Sequence, residues 1–405
     1  MLERLKIRNF KLLRDVDLEV AQGAPTVLIG PNASGKSTVI EVLDFLQRCA
    51  ADGLESALVA HGGMAAMRTA RTKDPIEIYS HWGLRTSGAG PLKDRSWDFH
   101  WTIRLDTAAD GLFFIASETL RDGDKDLVVT GADGTRSVVD ESAPGSKLSR
   151  IMNRLELGFM AFIDPNRYIG LAVLRTMLSM IRAIGALASS PPWARASVER
   201  ASPRDAVIIS TQNFVGREGI GLATALYNLQ TDHSEAWGKL LRVFQAEFPT
   251  VKRIVFPPDP GGSRISFAIE DVRFPDRKIY SSEMSDGMIV YLCLLSLILH
   301  PNQRAVLALD EPDAHLHPSA VRRLMALAHE PASRHLIIVT HSNALLDELQ
   351  DPAASIRVVE NTKDGARVRK LDAAALESWR QEYNLSDMRR TGLLDPANTA
   401  YETDP

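Results

Sequence analysis

The sequence predicts an α/β fold with a mixed sheet, an antiparallel β subdomain and an inserted helical lobe. Three observations predict it. An apolar run, Thr26-Val27-Leu28-Ile29, enters Gly30-Pro31-Asn32-Ala33-Ser34-Gly35-Lys36-Ser37-Thr38 and leaves into Val39, Leu43 and Leu46 at helical spacing: strand, loop and helix in order. Two further apolar runs, Val306 to Leu309 and Leu336 to Val339, have the length and content of parallel strands buried on both faces. Between these, from Ile76 to about Val139, apolar and polar residues alternate, with Trp97, Phe99, Trp101, Ile103 and Leu105 in unbroken step, the pattern of antiparallel strands.

Taken in order, Leu5 and Ile7, then Val16, Leu18 and Val20 with acids between them, predict two half-buried strands ahead of the loop. Asn9-Phe10-Lys11 joins them and reads as a turn with one aromatic anchor. Residues 50 to 74 are small, polar and glycine-containing, and read as a mobile connector. Asp122-Gly123-Asp124-Lys125-Asp126 has the acids of a calcium loop, but Leu127 stands where such a loop turns on glycine and no glutamate closes it, so it reads as a hairpin turn.

From Lys147 to Leu187 the period is helical, with Leu171, Leu174, Leu178 and Ile181 on one face, and Ser189 to Arg204, with Pro191-Pro192, marks a break. The expected division is therefore 1–140 for the N-terminal part of the core with the phosphate loop and β subdomain, and 141–204 for a helical insertion. Residues 205–360 are the C-terminal part of the core, and 361–405 a polar tail of short surface helices. Within the third part, Val207-Ile208-Ile209 is strand-like, a helix runs through Leu222, Leu226 and Leu229, and Ile265, Phe267 and Ile269 alternate as another strand.

Lys and Arg number 47 against 51 Asp and Glu, a formal net charge of -4, so no whole-chain basic excess points to nucleic acid, although a local basic groove is compatible with that total. The two cysteines, Cys49 and Cys293, each sit in an apolar stretch and read as small buried hydrophobes, which fits a reducing compartment. Met1-Leu2-Glu3-Arg4-Leu5-Lys6 carries charges where a signal peptide needs an apolar run, and Met288 to Leu299 is too short to span a bilayer. A cytoplasmic protein with no membrane partner is the expectation.

The segment from Gly30 fits G-x-x-x-x-G-K-[ST], whose physics is specific: glycines let successive N–H groups converge on phosphate oxygens at a helix N-terminus. Lys36 then reaches the β- and γ-phosphates and Ser37 offers a hydroxyl to Mg²⁺. Val306 to Leu309 ends in Asp310-Glu311-Pro312, an acid pair of the kind a Mg·ATP site needs at the end of a parallel strand: Asp310 for the Mg²⁺ shell and Glu311 to deprotonate water. Leu336 to Val339 ends in Thr340-His341-Ser342, and a histidine there can donate to a γ-phosphate or simply cap the strand. Ser285-Asp286-Gly287 precedes the apolar helix from Met288, so Ser285 reads as an N-cap whose N–H groups can also face an anion.

These segments in this order resemble the ATP-binding-cassette class of ATPases on its SMC/RecF-like side. More narrowly, Asp310-Glu311-Pro312-Asp313-Ala314-His315-Leu316-His317-Pro318 and Thr340-His341-Ser342 resemble the standalone AAA15/OLD-like ATPases, which often serve in bacterial phage-defence modules. The resemblance spans about residues 1 to 360 and implies an ABC-type core. It places Asn9, Phe10 and Lys11 near the adenosine end of ATP, Lys36, Ser37 and Thr38 at the phosphates and magnesium, and Asp310, Glu311 and His341 at the magnesium, base and switch positions. It further implies that Ser285 and Gly287 face the γ-phosphate of a second protomer, so that ATP is sandwiched in a homodimer. A family glutamine joins Mg²⁺ to the second lobe, and Gln212, following the strand Val207 to Ile209, is the candidate.

Two features depart from the family. The signature reads Glu283-Met284-Ser285-Asp286-Gly287-Met288 instead of Leu-Ser-Gly-Gly-Gln, so Asp286 brings a like charge toward the partner's phosphate unless it points away. No long heptad run is present, so extended coiled-coil arms are not expected. Asp313, His315 and His317 invite a metal reading, which the family pattern replaces with loop packing. The resulting expectation is a Mg²⁺-dependent ATPase whose ATP-driven dimerisation signals to a separate effector, such as a nuclease, in phage defence. The alternatives are a RecF-like repair ATPase that grips DNA directly, a regulatory scaffold that inhibits or activates a separate effector, and a transporter's cassette subunit.

Overall fold

In a computed structural model the described residues are 1–86, 94–131, 134–142, 147–150, 155–162, 164–185, 202–208, 215–216, 219–257, 264–301, 306–329, 335–362 and 365–371, with 373, 376, 385 and 387. Two large sheets carry the chain. The antiparallel one comprises β1 (Leu2–Phe10), β2 (Leu13–Glu19), β4 (Ile76–Arg85), β5 (Ser96–Thr107), β6 (Phe113–Asp122), β7 (Lys125–Thr130), β8 (Arg136–Val139) and β9 (Lys147–Arg150) in the order β2-β1-β4-β5-β6-β7-β8-β9. The mixed one has the order β10-β16-β17-β3-β18-β19, built from β3 (Thr26–Ile29), β10 (Arg182–Ile184), β16 (Val306–Asp310), β17 (His335–Val339), β18 (Ile356–Thr362) and β19 (Gly365–Lys370). Its first five strands pair in parallel and β19 returns antiparallel along β18.

Helix α1 (Lys36–Ala51) separates the two sheets, and the alternation of side chains along the parallel strands decides what meets it. Leu28, Val306, Ala308, Ile337 and Val339 join α1 and the inner face of the antiparallel sheet in one core. Their neighbours Val27, Ile29, Leu307, Leu309, Leu336 and Ile338 join a second core with α6 (Leu222–Asp232), α7 (Ser234–Glu247), α8 (Asp286–Leu299) and α9 (Pro318–Ala328). Covering on both faces explains why the consecutive positions Val27–Ile29, Val306–Leu309 and Leu336–Val339 are all apolar. Strands β1 and β2, wetted on one side, instead bury Leu5, Ile7, Val16 and Leu18 and pair Arg4 with Asp17 at 2.7 Å outside.

Smaller pieces complete the chain. The pair β11 (Val207–Ile208) and β13 (Arg264–Ile265), and the sheet β12 (Val251–Val255), β14 (Ala268–Asp271) and β15 (Lys278–Tyr280), flank the second core. Short helices α10 (Asn343–Asp347) and α11 (Pro352–Ser355) follow β17. Among the described residues no helix is long and apolar enough to cross a membrane. Both cysteines are buried and free.

Several local expectations change. Residues 50 to 74 are not a mobile connector: α2 (Leu54–Ala60) and α3 (Gly63–Met67) bury Leu54, Ala57, Leu58, Met64 and Met67 against the first core, an apolar content that its glycines and polar residues concealed. The stretch from Lys147 to Leu187 is not continuously helical: it comprises β9, α4 (Gly158–Ala161), α5 (Ile169–Ser179) and β10, the last an edge strand of the mixed sheet. Immediately past Glu360 the chain forms β19 and not a surface helix, because β18 offers it an open edge. The Asp122 segment is the expected hairpin turn, with Asp122 opposite Lys125 and Gly123 at φ 54°.

The antiparallel sheet also holds a buried ion pair that the sequence pattern did not reveal. Glu118 and Arg136 are 1% and 3% exposed, and Glu118 accepts from the Gly158 N–H at 2.9 Å and from Trp101 Nε1 at 3.3 Å. Burial raises the Glu118 carboxyl above its ordinary range, opposed chiefly by Arg136.

Candidate functional site

Strand register assembles the site. β16, β17 and β3 lie side by side, with Asp310 opposite Val339 and Val339 opposite Leu28, so the loops after all three strands leave the same edge of the sheet. There the Ser37 hydroxyl, in the first turn of α1, donates to Asp310 Oδ1 at 3.1 Å. Glu311 follows at φ 48°, its N–H donating to the Val339 carbonyl at 2.8 Å, and its Oε1 lies 4.0 Å from His341 Nε2. Thr340 Oγ1 donates to Asp313 at 2.6 Å, which ties the loop after β16 to the loop after β17.

Backbone strain concentrates here. Of the seven non-glycine residues with positive φ among those described, Asn9, Lys11, Ala33, Glu311 and His315 belong to the segments singled out from sequence. At Gly30, φ is 151° and an added Cβ would lie 2.1 Å from the Val359 carbonyl oxygen, so the phosphate loop passes β18 at a distance that only glycine permits.

The loop's polar groups fit a phosphate. Lys36, 4% exposed, turns its ammonium onto the loop's own Gly30 and Pro31 carbonyls at 3.1 and 2.6 Å. Ser34 Oγ, in a residue 1% exposed, has no hydrogen-bond partner among the described residues, an orphaned donor that a bound oxyanion would satisfy. Pro31, Asn32, Ala33 and Ser37 are exposed at the mouth, while Gly35 and Thr38 are buried beneath it. The Asp310 carboxyl is raised above its ordinary range, first by burial and then by the Glu311 and Glu41 carboxylates, against the Ser37 hydrogen bond and Lys36. A divalent cation would relieve that excess of negative charge, so the donor set fits Mg²⁺ as well.

Asn9-Phe10-Lys11 lies beside α1. Phe10 is wholly buried, its ring centroid 6.2 Å from that of Phe45, so it is a core anchor and offers no face to a ligand. Asn9 donates to the Pro75 carbonyl at 3.0 Å and Lys11 pairs with Glu41 at 2.5 Å, which places the Lys11 ammonium near the carboxylates around Asp310.

Ser285 caps α8 by accepting from the Met288 N–H at 3.3 Å, and it stays exposed. An added Cβ at Gly287 would meet the His315 carbonyl oxygen at 2.9 Å, so the start of α8 is seated on the loop after β16. Asp286 is held in an ion pair by Arg204, whose guanidinium also donates to the Ser281 and Met284 carbonyls at 2.7 Å each. The like charge in the signature is thus neutralised within the chain. Arg204 escaped sequence reasoning because it belongs to no spacing pattern and stands 82 positions from its partner. Gln212 lies outside the described residues. His317 accepts from the Ser319 N–H to cap α9, while Asp313 takes the Thr340 hydroxyl.

Comparison with known proteins agrees with this geometry. Residues 1–86 match a family model described as an AAA ATPase domain, and residues 225–347 one described as an AAA domain, putative AbiEii toxin, Type IV TA system. No curated protein matches the chain. Among solved structures, an SMC head bound to the C-winged helix domain of ScpA is 15% identical at TM-score 0.54, covering 92% of this chain and 98% of that one. An SMC head with an extended coiled coil bound to the C-terminal domain of ScpA, derived from Pyrococcus furiosus, is 14% identical at TM-score 0.49, covering 94% and 98%. At such identity the first of these is a likeness of fold, and the fold is that of an ABC-type head. Both matched domain models, each covering less than half of the chain, agree with the motif order: the two segments are similar to AAA ATPase domains, and the fold that holds them is like that of an SMC head.

Proposed function

We propose that the chain binds and hydrolyses ATP with Mg²⁺, and that two copies close around the nucleotide to signal to a partner. The observation that carries this reading is the Ser37 hydroxyl on Asp310 at 3.1 Å, with Glu311 and His341 4.0 Å apart beside it. The N–H groups of the Gly30 loop cradle the phosphates, and Lys36 leaves its carbonyl partners to meet the β- and γ-oxygens. Ser37 and Asp310 hold the magnesium shell, and Mg²⁺ when bound neutralises charge on the β- and γ-phosphates. Glu311, aimed by its left-handed backbone, orients and deprotonates the attacking water, while His341 donates to the γ-phosphate.

Dimerisation has its own support. Ser285 and the first turn of α8 are accessible, a helix N-terminus with its anion-binding groups facing outward, and Arg204 removes the charge that would repel a partner's γ-phosphate. Closure is then favoured because the dimer binds γ-phosphate better than the monomer does. The output passes to a separate effector. The toxin–antitoxin wording of the model matched over 225–347 supports a place in bacterial defence.

The test is Glu311→Gln, with hydrolysis expected to fall about 10²–10⁴-fold and an ATP-dependent dimer expected by light scattering. A variant that stays monomeric with Mg·ATP removes the sandwich. Steeply salt-dependent DNA binding by the purified protein would favour the DNA-gripping alternative.

A further inference from the structure

The outer face of the antiparallel sheet, away from the nucleotide loops, holds a second constellation. His81 on β4 and His100 on β5 are directly opposed in the strand register, and their rings stack at 4.3 Å between centroids and 12° between planes. Asp98, two residues before His100 and hence on the same face, presents one oxygen to each ring: Oδ1 lies 2.6 Å from His81 Nε2 and Oδ2 lies 3.4 Å from His100 Nε2. The remaining ring nitrogens are occupied. His100 Nδ1 is 2.7 Å from the Tyr79 hydroxyl, and His81 Nδ1 is 3.5 Å from Glu3 Oε2.

That Glu3 carboxylate is seated over Gly83, where a Cβ would come within 2.3 Å of its Oε1, so the sheet leaves room for it by omitting a side chain. The constellation therefore has two layers. Two Nε2 atoms and a carboxylate converge, and a hydroxyl and a second carboxylate hold the far side of each imidazole, the arrangement that orients histidines as metal ligands. Among the described residues, His81, Asp98 and His100 form the group of potential ligands whose atoms all lie within 4.8 Å of one another.

We propose that His81, His100 and Asp98 bind a divalent ion of the zinc class, with water in the remaining position and Tyr79 and Glu3 as the orienting outer partners. Two imidazoles with one carboxylate suit zinc, whereas magnesium and calcium prefer sites made of oxygen alone. Tetrahedral zinc with ligands at about 2 Å requires these atoms to stand about 3.3 Å apart, so the His81–Asp98 contact opens by a small side-chain rotation while the His100–Asp98 separation already fits. The ligands come from the adjacent strands β4 and β5, and Glu3 on β1 ties the third strand to the group through His81.

The test uses the full chain, stripped with EDTA and free of nucleotide, titrated with Zn²⁺ against a chromophoric chelator. One equivalent per chain is expected, with ligand-field bands when Co²⁺ replaces zinc. His81→Gln with His100→Gln lowers the affinity at least about 100-fold, and Tyr79→Phe about tenfold. Circular dichroism checks that these surface variants remain folded, and His317→Gln, outside the constellation, leaves zinc binding unchanged. Absence of zinc binding by the stripped wild type, or equal binding by the double variant, overturns the proposal.

Discussion

The Ser37 hydroxyl and the Asp310 carboxylate, 273 positions apart in the chain, are 3.1 Å apart in space. Asp310→Asn keeps the shape of this contact and removes its charge. Because the fold already disfavours the charged carboxyl, the amide should leave the melting temperature unchanged or raise it. Hydrolysis of Mg·ATP, followed by phosphate release, should meanwhile drop about 10²–10³-fold. Loss of folding instead would mean that Asp310 acts as a structural anchor.

Gly30→Ala tests the close approach of the phosphate loop to β18. A Cβ 2.1 Å from the Val359 carbonyl cannot be relieved by rotating a side chain, so strand or loop must move. Denaturant melting should show a loss of about 2 kcal/mol or more, and calorimetry a loss of ATP binding. The exposed neighbour Pro31→Ala should stay within about 0.5 kcal/mol of wild type.

Arg204→Met removes the buried cation from Asp286 and leaves the Ser281 and Met284 carbonyls without their donor. A cost of about 2 kcal/mol is expected from the unpaired groups. Adding Asp286→Asn should recover part of it, with a coupling of about 0.5–3 kcal/mol in a double-mutant cycle read by denaturant melting. In the proposed dimer, Arg204→Met alone also restores the signature's negative charge, and ATP-dependent association in light scattering should weaken.

His335 opens β17 with both ring nitrogens buried and, among the described residues, without hydrogen-bond partners, and burial lowers it from 6.5 to about 4. The unfolded chain therefore takes up a proton before the folded one does, so stability is intact above about pH 6.5 and declines as pH falls toward 4. The loss is on the order of 3 kcal/mol. His335→Leu should flatten melting temperature against pH in that window; an unchanged slope would assign the acid sensitivity to other groups.

Legibility followed range. The Gly30–Thr38 loop, the strands on either side of the Asp122 turn and the apolar runs before Asp310 and Thr340 could be read because turn chemistry and side-chain period act over a few residues. Helices α2 and α3 were lost among small residues whose burial comes from the core above them, and β19 became a strand because β18 presented an open edge. Phe10 reads in sequence as the aromatic anchor of a turn, and in space it is wholly buried in the first core.

By itself the sequence determined that one short glycine-containing loop joins a buried strand to a helix and that two buried strands end in acids and a histidine, since each is a local backbone event. Only the tertiary structure decided that β16, β17 and β3 stand side by side, that Arg204 neutralises Asp286, and that His81, Asp98 and His100 converge on one face. Those relationships depend on which strands pair and at what register. Pairing is set by the joint burial of both cores, and no spacing along the chain records it.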